Sequence, residues 1–367
     1  MIETTTKLET EIRRRIAAAG PMPVAQFMAL CLSHPQHGYY VTRDPLGAGG
    51  DFTTAPEVSQ MFGELIGLWM ATVWRQMGAP ENVRVIELGA GRGTMMSDAL
   101  RAAKVVPEFI AAAMLHFVEV SPVLQAQQEK SMEGGAVPAL WHRALADVPG
   151  GPSIVVANEF FDAIPSHQAI KKRDGWHIRT VAVDSDGALG FTFDPAPMEN
   201  FERTLPARLR SAHEDEIFEW RSDTSPLELG RRLARDPGAA LVIDYGHVAS
   251  APGDTLQAVG RHAFADPLSS PGFVDLTAHV DFEWLAGQLD CMGVTVNGPV
   301  TQAHFLGKLG IEARAKTLRK GATPSKAAEI DAALDRLTGH GRTGMGSLFK
   351  VIGFAHRAVG PLPGFET

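Results

Sequence analysis

The amino-acid sequence predicts an α/β protein built on a doubly wound, mostly parallel sheet, and three observations predict it. From residue 83 onward short apolar runs alternate with helix-like segments, the rhythm of βαβ units. The first run, VRVIEL (83–88), passes directly into GAGRG (89–93) and a helix-like stretch, the βα turn at which such sheets hold a ligand. A chain of 367 residues with 45% hydrophobic content can also bury a large core, by length either two domains or one elaborated one.

Residues 7–32 look helical, and SHPQHGYYVTRDPLGAGGDFTTAP (33–56) is a long loop rich in Gly, Pro and His, of a kind that is usually functional in a compact domain. Thr54, Pro56 and Glu57 spell a capping box with Pro at the start of a helix, which makes Glu57 a cap rather than a catalyst. Val58, Met61, Phe62, Leu65, Ile66, Trp69 and Val73 follow at helical spacing as core. After VRVIEL come a helix over 94–104, a strand in MLHFVEV (114–120), a helix in PVLQAQQEK (122–130), a weak strand in AVPALWH (136–142) and a strong one in SIVVANEF (153–160). An insertion, 166–236, precedes the next strand, AALVIDYG (239–246). Two Asp-Gly turns between its strand-like runs signal hairpins, and the acidic HEDEIFEW follows them. GSLFKVIGFAH (346–356) reads as a last strand, antiparallel at an edge. The expected organisation is an N-terminal helical region with a glycine-rich lid loop, 1–82, and a sheet-bearing domain, 83–367. The latter carries the α+β insertion and a polar stretch, about 247–282, suited to docking a substrate or, alternatively, to serving as an ordered structural loop.

Composition excludes several classes of function. Cys31 and Cys291 are the only cysteines, so neither a disulfide framework nor a cysteine metal site is available, and the chain reads as a resident of a reducing compartment. The opening MIETTTKLETEIRRRIAAAG is acidic at Glu3, Glu9 and Glu11 and lacks an apolar stretch, unlike a secretory signal or transit peptide. No apolar run reaches membrane-spanning length, so a cytoplasmic protein without membrane insertion is expected. A net charge of -8 argues against nucleic acid as a partner. His34 and His37 are spaced permissively for a metal, but nothing completes a shell, and no metal is expected.

The glycine loop separates three ligands. A nucleoside triphosphate loop ends in Gly-Lys-Ser or Gly-Lys-Thr, whereas Gly93 is followed by Thr94. A dinucleotide loop reads G-x-G-x-x-G and aims a helix at a pyrophosphate, whereas Gly89, Gly91 and Gly93 are spaced G-x-G-x-G. Glu87, two residues before the first glycine, would repel a pyrophosphate and attract an ammonium or sulfonium group. S-adenosylmethionine carries both cations and no phosphate. Glu119 ends the next strand, where a carboxylate can accept hydrogen bonds from ribose hydroxyls, as NAD enzymes also have it. Together these residues give a methyltransferase signal; the plain alternative is a glycine-rich turn with surface acids.

The acceptor side is read from ANEFFDAIP (157–165). Asn158, Glu159 and Asp162 stand at the end of the strongest strand, and an acid pair can grip a guanidinium bidentately. Phe160 and Phe161 could wall the pocket; alternatively Asp162 caps a following helix and the phenylalanines are core. Asp244 and Tyr245, at the end of the fifth strand, are second candidates for the same wall, and Asp51 in the glycine-rich loop could touch either ligand.

Over nearly its whole length the chain resembles the MidA-like family of mitochondrial complex I assembly factors, S-adenosylmethionine-dependent protein arginine methyltransferases, and their bacterial relatives. The resemblance lies in GDFTTAPEVSQMFGELIGLW (50–69), ELGAGRGTMMSDALR (87–101), FVEVSPVLQAQQ (117–128), VVANEFFDAIPSHQ (155–168) and LVIDYGH (241–247). It continues in GDTLQAVGRHAFADPLSSPGFVDLTAHVDF (253–282), TQAHFLGKLGI (301–311) and MGSLFKVI (345–352). Ala90 stands where the family often has Pro. The resemblance implies a class I, Rossmann-like methyltransferase fold, S-adenosylmethionine as donor, and symmetric dimethylation of an arginine on a respiratory complex I subunit. Eukaryotic relatives would act in the mitochondrial matrix. A homodimer is left open. Two other functions compete: a noncatalytic assembly chaperone that keeps the fold, and a nicotinamide enzyme, which Glu87 and the glycine spacing disfavour.

Overall fold

The computed structural model describes residues 5–43, 53–260, 263–341 and 344–366. The chain divides into two compact units: Thr53–Phe161 with Asp223–Val248 and Phe282–Thr367, and Met1–Phe52 with Asp162–Ser222 and Ala249–Asp281. Asp51 and the rest of the glycine-rich loop over 44–52 lie outside the described residues.

The first of these units holds the parallel sheet. Its strands are β1 (Val83–Leu88), β2 (Ala113–Val118), β3 (Ala139–His142), β4 (Ser153–Asn158), β5 (Gly238–His247), β6 (Thr295–Thr301) and β7 (Phe349–Ala355), in the order β6-β7-β5-β4-β1-β2-β3. Pairing is parallel from β3 through to β5, and β7 runs antiparallel to both β5 and β6. The chain goes from β1 outward to β3, then returns to lay β4 and β5 on the other side of β1. The switch point of the topology, where such sheets bind ligands, therefore lies at the carboxyl ends of β1 and β4. Leu88 is level with Val118 on one side and Ala157 on the other, so the residues after β1, β2 and β4 emerge on one rim. The buried strands are near-continuous apolar runs, as expected where helices cover both faces.

Several expectations need correction. The last strand is not at an edge: β7 lies between β5 and β6, and its FKVIGFA run is buried except at Lys350. The edge belongs to β6, which the sequence reading missed because Gly298 and Pro299 interrupt its alternation at a register shift between Asn297 and Val300. No capping box forms at Thr54. The helix Ala55–Val58 stops at Ser59, whose hydroxyl accepts from Met61 N–H (3.2 Å) and starts a new helix, Gln60–Gln76. Glu57 instead accepts a hydrogen bond from the Thr94 hydroxyl at 2.7 Å. Gln60–Gln76 packs tightly on Thr94–Ala103; a Cβ at Gly67 would stand 2.1 Å from the Ala99 carbonyl oxygen. Helix Thr224–Arg235, counted with the insertion above, belongs to this unit as the crossover before β5.

In the other unit the predicted helix over 7–32 is two, Lys7–Ala19 and Val24–Ser33, divided at Gly20, whose φ of 88° a side chain would resist. Strands Ser166–Lys172 and Gly175–Val183 turn at Asp174-Gly175, and Gly175–Val183 and Leu189–Phe193 turn around Asp186-Gly187, so both Asp-Gly signals mark hairpins. Ile217–Arg221 joins this sheet beside Ser166–Lys172, and Met22–Pro23 pairs with Gly175–Val183. The polar stretch after 247 carries the short strands Gln257–Gly260, Ala263–Ala265, Asp275–Thr277 and Val280–Asp281 among its described residues, the first three paired with one another. Its Leu256, Ala258, Leu268, Val274 and Leu276 join Leu8, Ile12, Phe27 and Met28 of the two helices in one core. Much of that stretch is thus structural.

Candidate active site

The glycine turn after β1 is built from left-handed backbone: φ is 63° at Gly89, 54° at Gly91 and 78° at Gly93. Non-glycine residues rarely take these angles, which is why three glycines alternate here. Gly89 N–H donates to the Val118 carbonyl at 3.0 Å, tying the turn to β2, and Gly93 N-caps the helix Thr94–Ala103. A Cβ on Gly89 would come within 2.9 Å of the Phe160 ring, so that ring packs over the turn. Gly89→Ala is expected to cost roughly 1 to 2 kcal/mol for the backbone alone, with more for displacing Phe160; urea unfolding measures it.

Glu87 is only 3% exposed, and its Oε2 is buried with no hydrogen-bond partner among the described residues. Burial pushes its carboxyl well above the usual carboxylate range, and the charge of Glu119 pushes it further. A buried acid of this kind is costly unless a cation meets it. An ammonium group would satisfy it, and the residues present fit S-adenosylmethionine in this respect. Glu119 is also buried, and its pKa is raised by burial against the opposing pull of its hydrogen bonds. Its Oε1 accepts from Ser121 N–H (2.8 Å) and its Oε2 from the Gln128 amide (3.0 Å). Gln128 was not singled out in the sequence, yet it is fully buried and also reaches the Gly91 carbonyl at 2.8 Å. The one hint was its place four residues after Leu124, on the same helix face.

At the end of β4, Glu159 has φ 50°, a rare conformation for a side chain of its size. Its backbone is held by a bond from its N–H to the Ile243 carbonyl (2.9 Å), and its Oε1 accepts from Asn158 Nδ2 (3.2 Å) and Ala55 N–H (3.3 Å). Non-glycine residues in this region store strain of about 1 to 3 kcal/mol and cluster where function needs it. Asp244, completely buried, accepts from Phe161 N–H (3.0 Å) and Tyr245 N–H (2.9 Å). It thereby fixes the turn that carries Glu159 and Phe160.

The structure thus brings Glu87, Gly89, Gly91, Gly93, Glu119, Asn158 and Glu159 onto the carboxyl rim of one sheet. Asp162 falls in the other unit. It is buried, its carbonyl accepts from Ala278 N–H (3.1 Å), and the chain after it enters the strand Ser166–Lys172, so it caps no helix. Among the described residues no group of three or more His, Cys, Asp or Glu side chains is placed to hold a metal ion. His34 and His37 stack with centroids 5.3 Å apart, and His34 Nδ1 accepts from the N–H groups of Gln36 and His37, both at 3.2 Å.

A doubly wound sheet of this strand order, a glycine turn, and strand-end acids in place of a phosphate cradle define an S-adenosylmethionine-dependent methyltransferase. The family model described as S-adenosyl-L-methionine-dependent methyltransferase matches residues 65–300, and the chain belongs to that family. It is 37% identical to the mitochondrial protein arginine methyltransferase NDUFAF7 homolog of Drosophila melanogaster, over 98% of this chain and 88% of the relative. It is 36% identical to the mitochondrial protein arginine methyltransferase NDUFAF7 of Danio rerio, over 88% and 81%. A structure from Burkholderia thailandensis with S-adenosyl-homocysteine bound superimposes with a TM-score of 0.83 at 30% identity, covering 98% of this chain and 94% of the other. S-adenosylmethionine is accordingly the methyl donor. No helix among the described residues is long and apolar enough to cross a membrane.

Proposed function

We propose that this protein is a protein arginine methyltransferase that symmetrically dimethylates an arginine of a respiratory complex I subunit, in the cytoplasm of a bacterium. The single observation that carries the acceptor side is Glu159, a carboxylate held in left-handed backbone beside Asn158 on the rim that the glycine turn shares. The names of the relatives, protein arginine methyltransferases, support the substrate class.

On this reading Glu87, Gly89, Gly91, Gly93 and Glu119 hold the donor, and Asn158 and Glu159 receive the guanidinium. Asp162 is retained as a second candidate acid, judged by its own variant. The donor supplies a methyl group on a positively charged sulfur, so the protein's work is placement, with the acceptor nitrogen about 3 to 3.5 Å from the methyl carbon. An arginine keeps its proton until the pH exceeds about 12, and its lone pair is spread over the fork. Glu159 compensates by orienting the fork, drawing positive charge toward the bound nitrogens and accepting the proton that the methylated nitrogen loses. Phe160, packed on Gly89, limits water beside that nitrogen.

The test is methyl transfer from labelled donor to complex I subunits prepared from cells lacking this gene, followed by mass spectrometry. Label on an arginine as two methyl groups, one on each terminal nitrogen, is expected. Label on lysine, or on a small molecule alone, would reject the substrate assignment.

A further inference from the structure

We infer that Gln128 is a positioning residue of the donor site, which locks the orientation of the Glu119 carboxylate and couples it to the glycine turn. The inference rests on the reading of Glu119 as the acid that meets the donor's ribose.

Gln128 lies on the helix Pro122–Met132, PVLQAQQEKSM, of which Leu124 and Gln128 are the buried residues. Gln128 is 0% exposed, in a place where a second leucine would satisfy packing. Every polar atom of its amide is used instead. Nε2 donates to the Gly91 carbonyl at 2.8 Å and to Glu119 Oε2 at 3.0 Å, while Oε1 accepts from the Trp141 indole at 3.0 Å. The indole N–H can only donate, so it selects one of the two amide orientations. The oxygen must face Trp141, and both amide protons must therefore face the turn and the acid. Trp141 is itself held by stacking on Phe117, with centroids 5.6 Å apart.

The consequence for Glu119 is geometric. Ser121 N–H holds one carboxylate oxygen and Gln128 the other, so the plane of the group is fixed before a ligand arrives. The lone pairs that remain can accept only from donors in one direction, which suits a pair of vicinal hydroxyls and rejects a phosphate. Because the same Nε2 holds the Gly91 carbonyl, the turn and the acid cannot shift independently. Removing the amide would leave the Gly91 carbonyl and Glu119 each short of a partner and let the carboxylate rotate.

The test uses the full chain and calorimetric titration of S-adenosyl-homocysteine, with thermal melting as a control for folding. Gln128→Met, close in shape but unable to donate, should weaken binding roughly tenfold to a hundredfold, the scale for one hydrogen bond to a charged group. In a Glu119→Gln background the same change should cost only a few-fold, since its main target is gone. The loss should also shrink for an S-adenosyl-homocysteine analogue lacking the ribose hydroxyls. Trp141→Phe, which frees the amide to flip without enlarging the change, should reproduce part of the loss. If Glu119→Gln itself leaves affinity unchanged, the ribose reading fails. If Glu119→Gln weakens binding but Gln128→Met does not, or costs the same in both backgrounds and with both ligands, Gln128 is structural filling and the inference is overturned.

Discussion

Exchanging Glu159 for glutamine should lower methyl transfer by roughly 10²- to 10⁴-fold, the range for a lost acid–base group, while donor affinity stays as it was. The amide keeps the volume of the side chain and the hydrogen bonds that Asn158 Nδ2 and Ala55 N–H donate to it. What it loses is the negative charge that balances a buried guanidinium, and the capacity to take its proton. Asp162→Asn, assayed in the same way, decides whether a second acid shares the task. A peptide with lysine in place of the target arginine should not turn over, because one ammonium cannot span acceptors arranged for a planar fork. Near-normal turnover in Glu159→Gln would remove this residue from the acceptor site. A loss of donor binding instead would assign it to the donor side.

Glu87→Ala should weaken S-adenosylmethionine binding by about 3 to 5 kcal/mol, the scale for stripping one partner from a buried charge pair. The variant should nevertheless melt no lower than the parent, since without ligand the Glu87 carboxyl is buried with an unsatisfied oxygen and is a burden on the fold. The pH dependence has a definite sign. Burial, followed by the Glu119 charge, raises the Glu87 pKa in the free protein, so below that pKa the carboxyl holds a proton that a bound ammonium would displace. Binding thus releases a proton, and affinity rises with pH toward a plateau once the raised pKa is passed, by at most about tenfold per unit. Calorimetry in buffers of different ionisation enthalpy measures the protons released. Proton uptake on binding, or an affinity of Glu87→Ala equal to the parent's, would exclude Glu87 from the donor site.

The parts of this site that could be read from the sequence are those whose reasons are local. Gly89, Gly91 and Gly93 alternate because successive residues of one tight turn need positive φ. Glu87 and Glu119 could be placed because a strand leads directly into each. Four of the five parallel strands stood out because strands covered on both faces are plain apolar runs, whereas β3, at the edge with none of its four residues buried, showed only weakly. By the same rule FKVIGFA should have been placed inside the sheet, since an edge strand seldom buries so complete a run. Gln128 was hidden for the opposite reason: a glutamine in a polar helix looks solvated, and its burial is decided by β2 and β3, not by its neighbours in sequence. The left-handed conformation of Glu159 is likewise imposed from outside, through Asp244 and Ile243 on β5. No pattern within ANEFFDAIP encodes it. The organisation into two units was also out of reach, because each is assembled from three separated segments of chain.

The position of β7 bears on how the protein is made. β5 pairs with β4 along one side and with β7 along the other, yet among the described residues β7 is the last strand and β6 pairs only with β7. During synthesis β5 therefore leaves the ribosome with the backbone N–H and C=O groups that β7 will pair still open, and they stay open while the helices between it and β7 are being translated. Such an edge invites pairing with another nascent chain. Asp244 is on that strand, so the turn bearing Glu159 can gain its anchor as soon as β5 pairs with β4, while the other side of β5 is still open. An arrest of translation shortly before Phe349 would leave nearly the whole methyltransferase unit made and its sheet still unclosed.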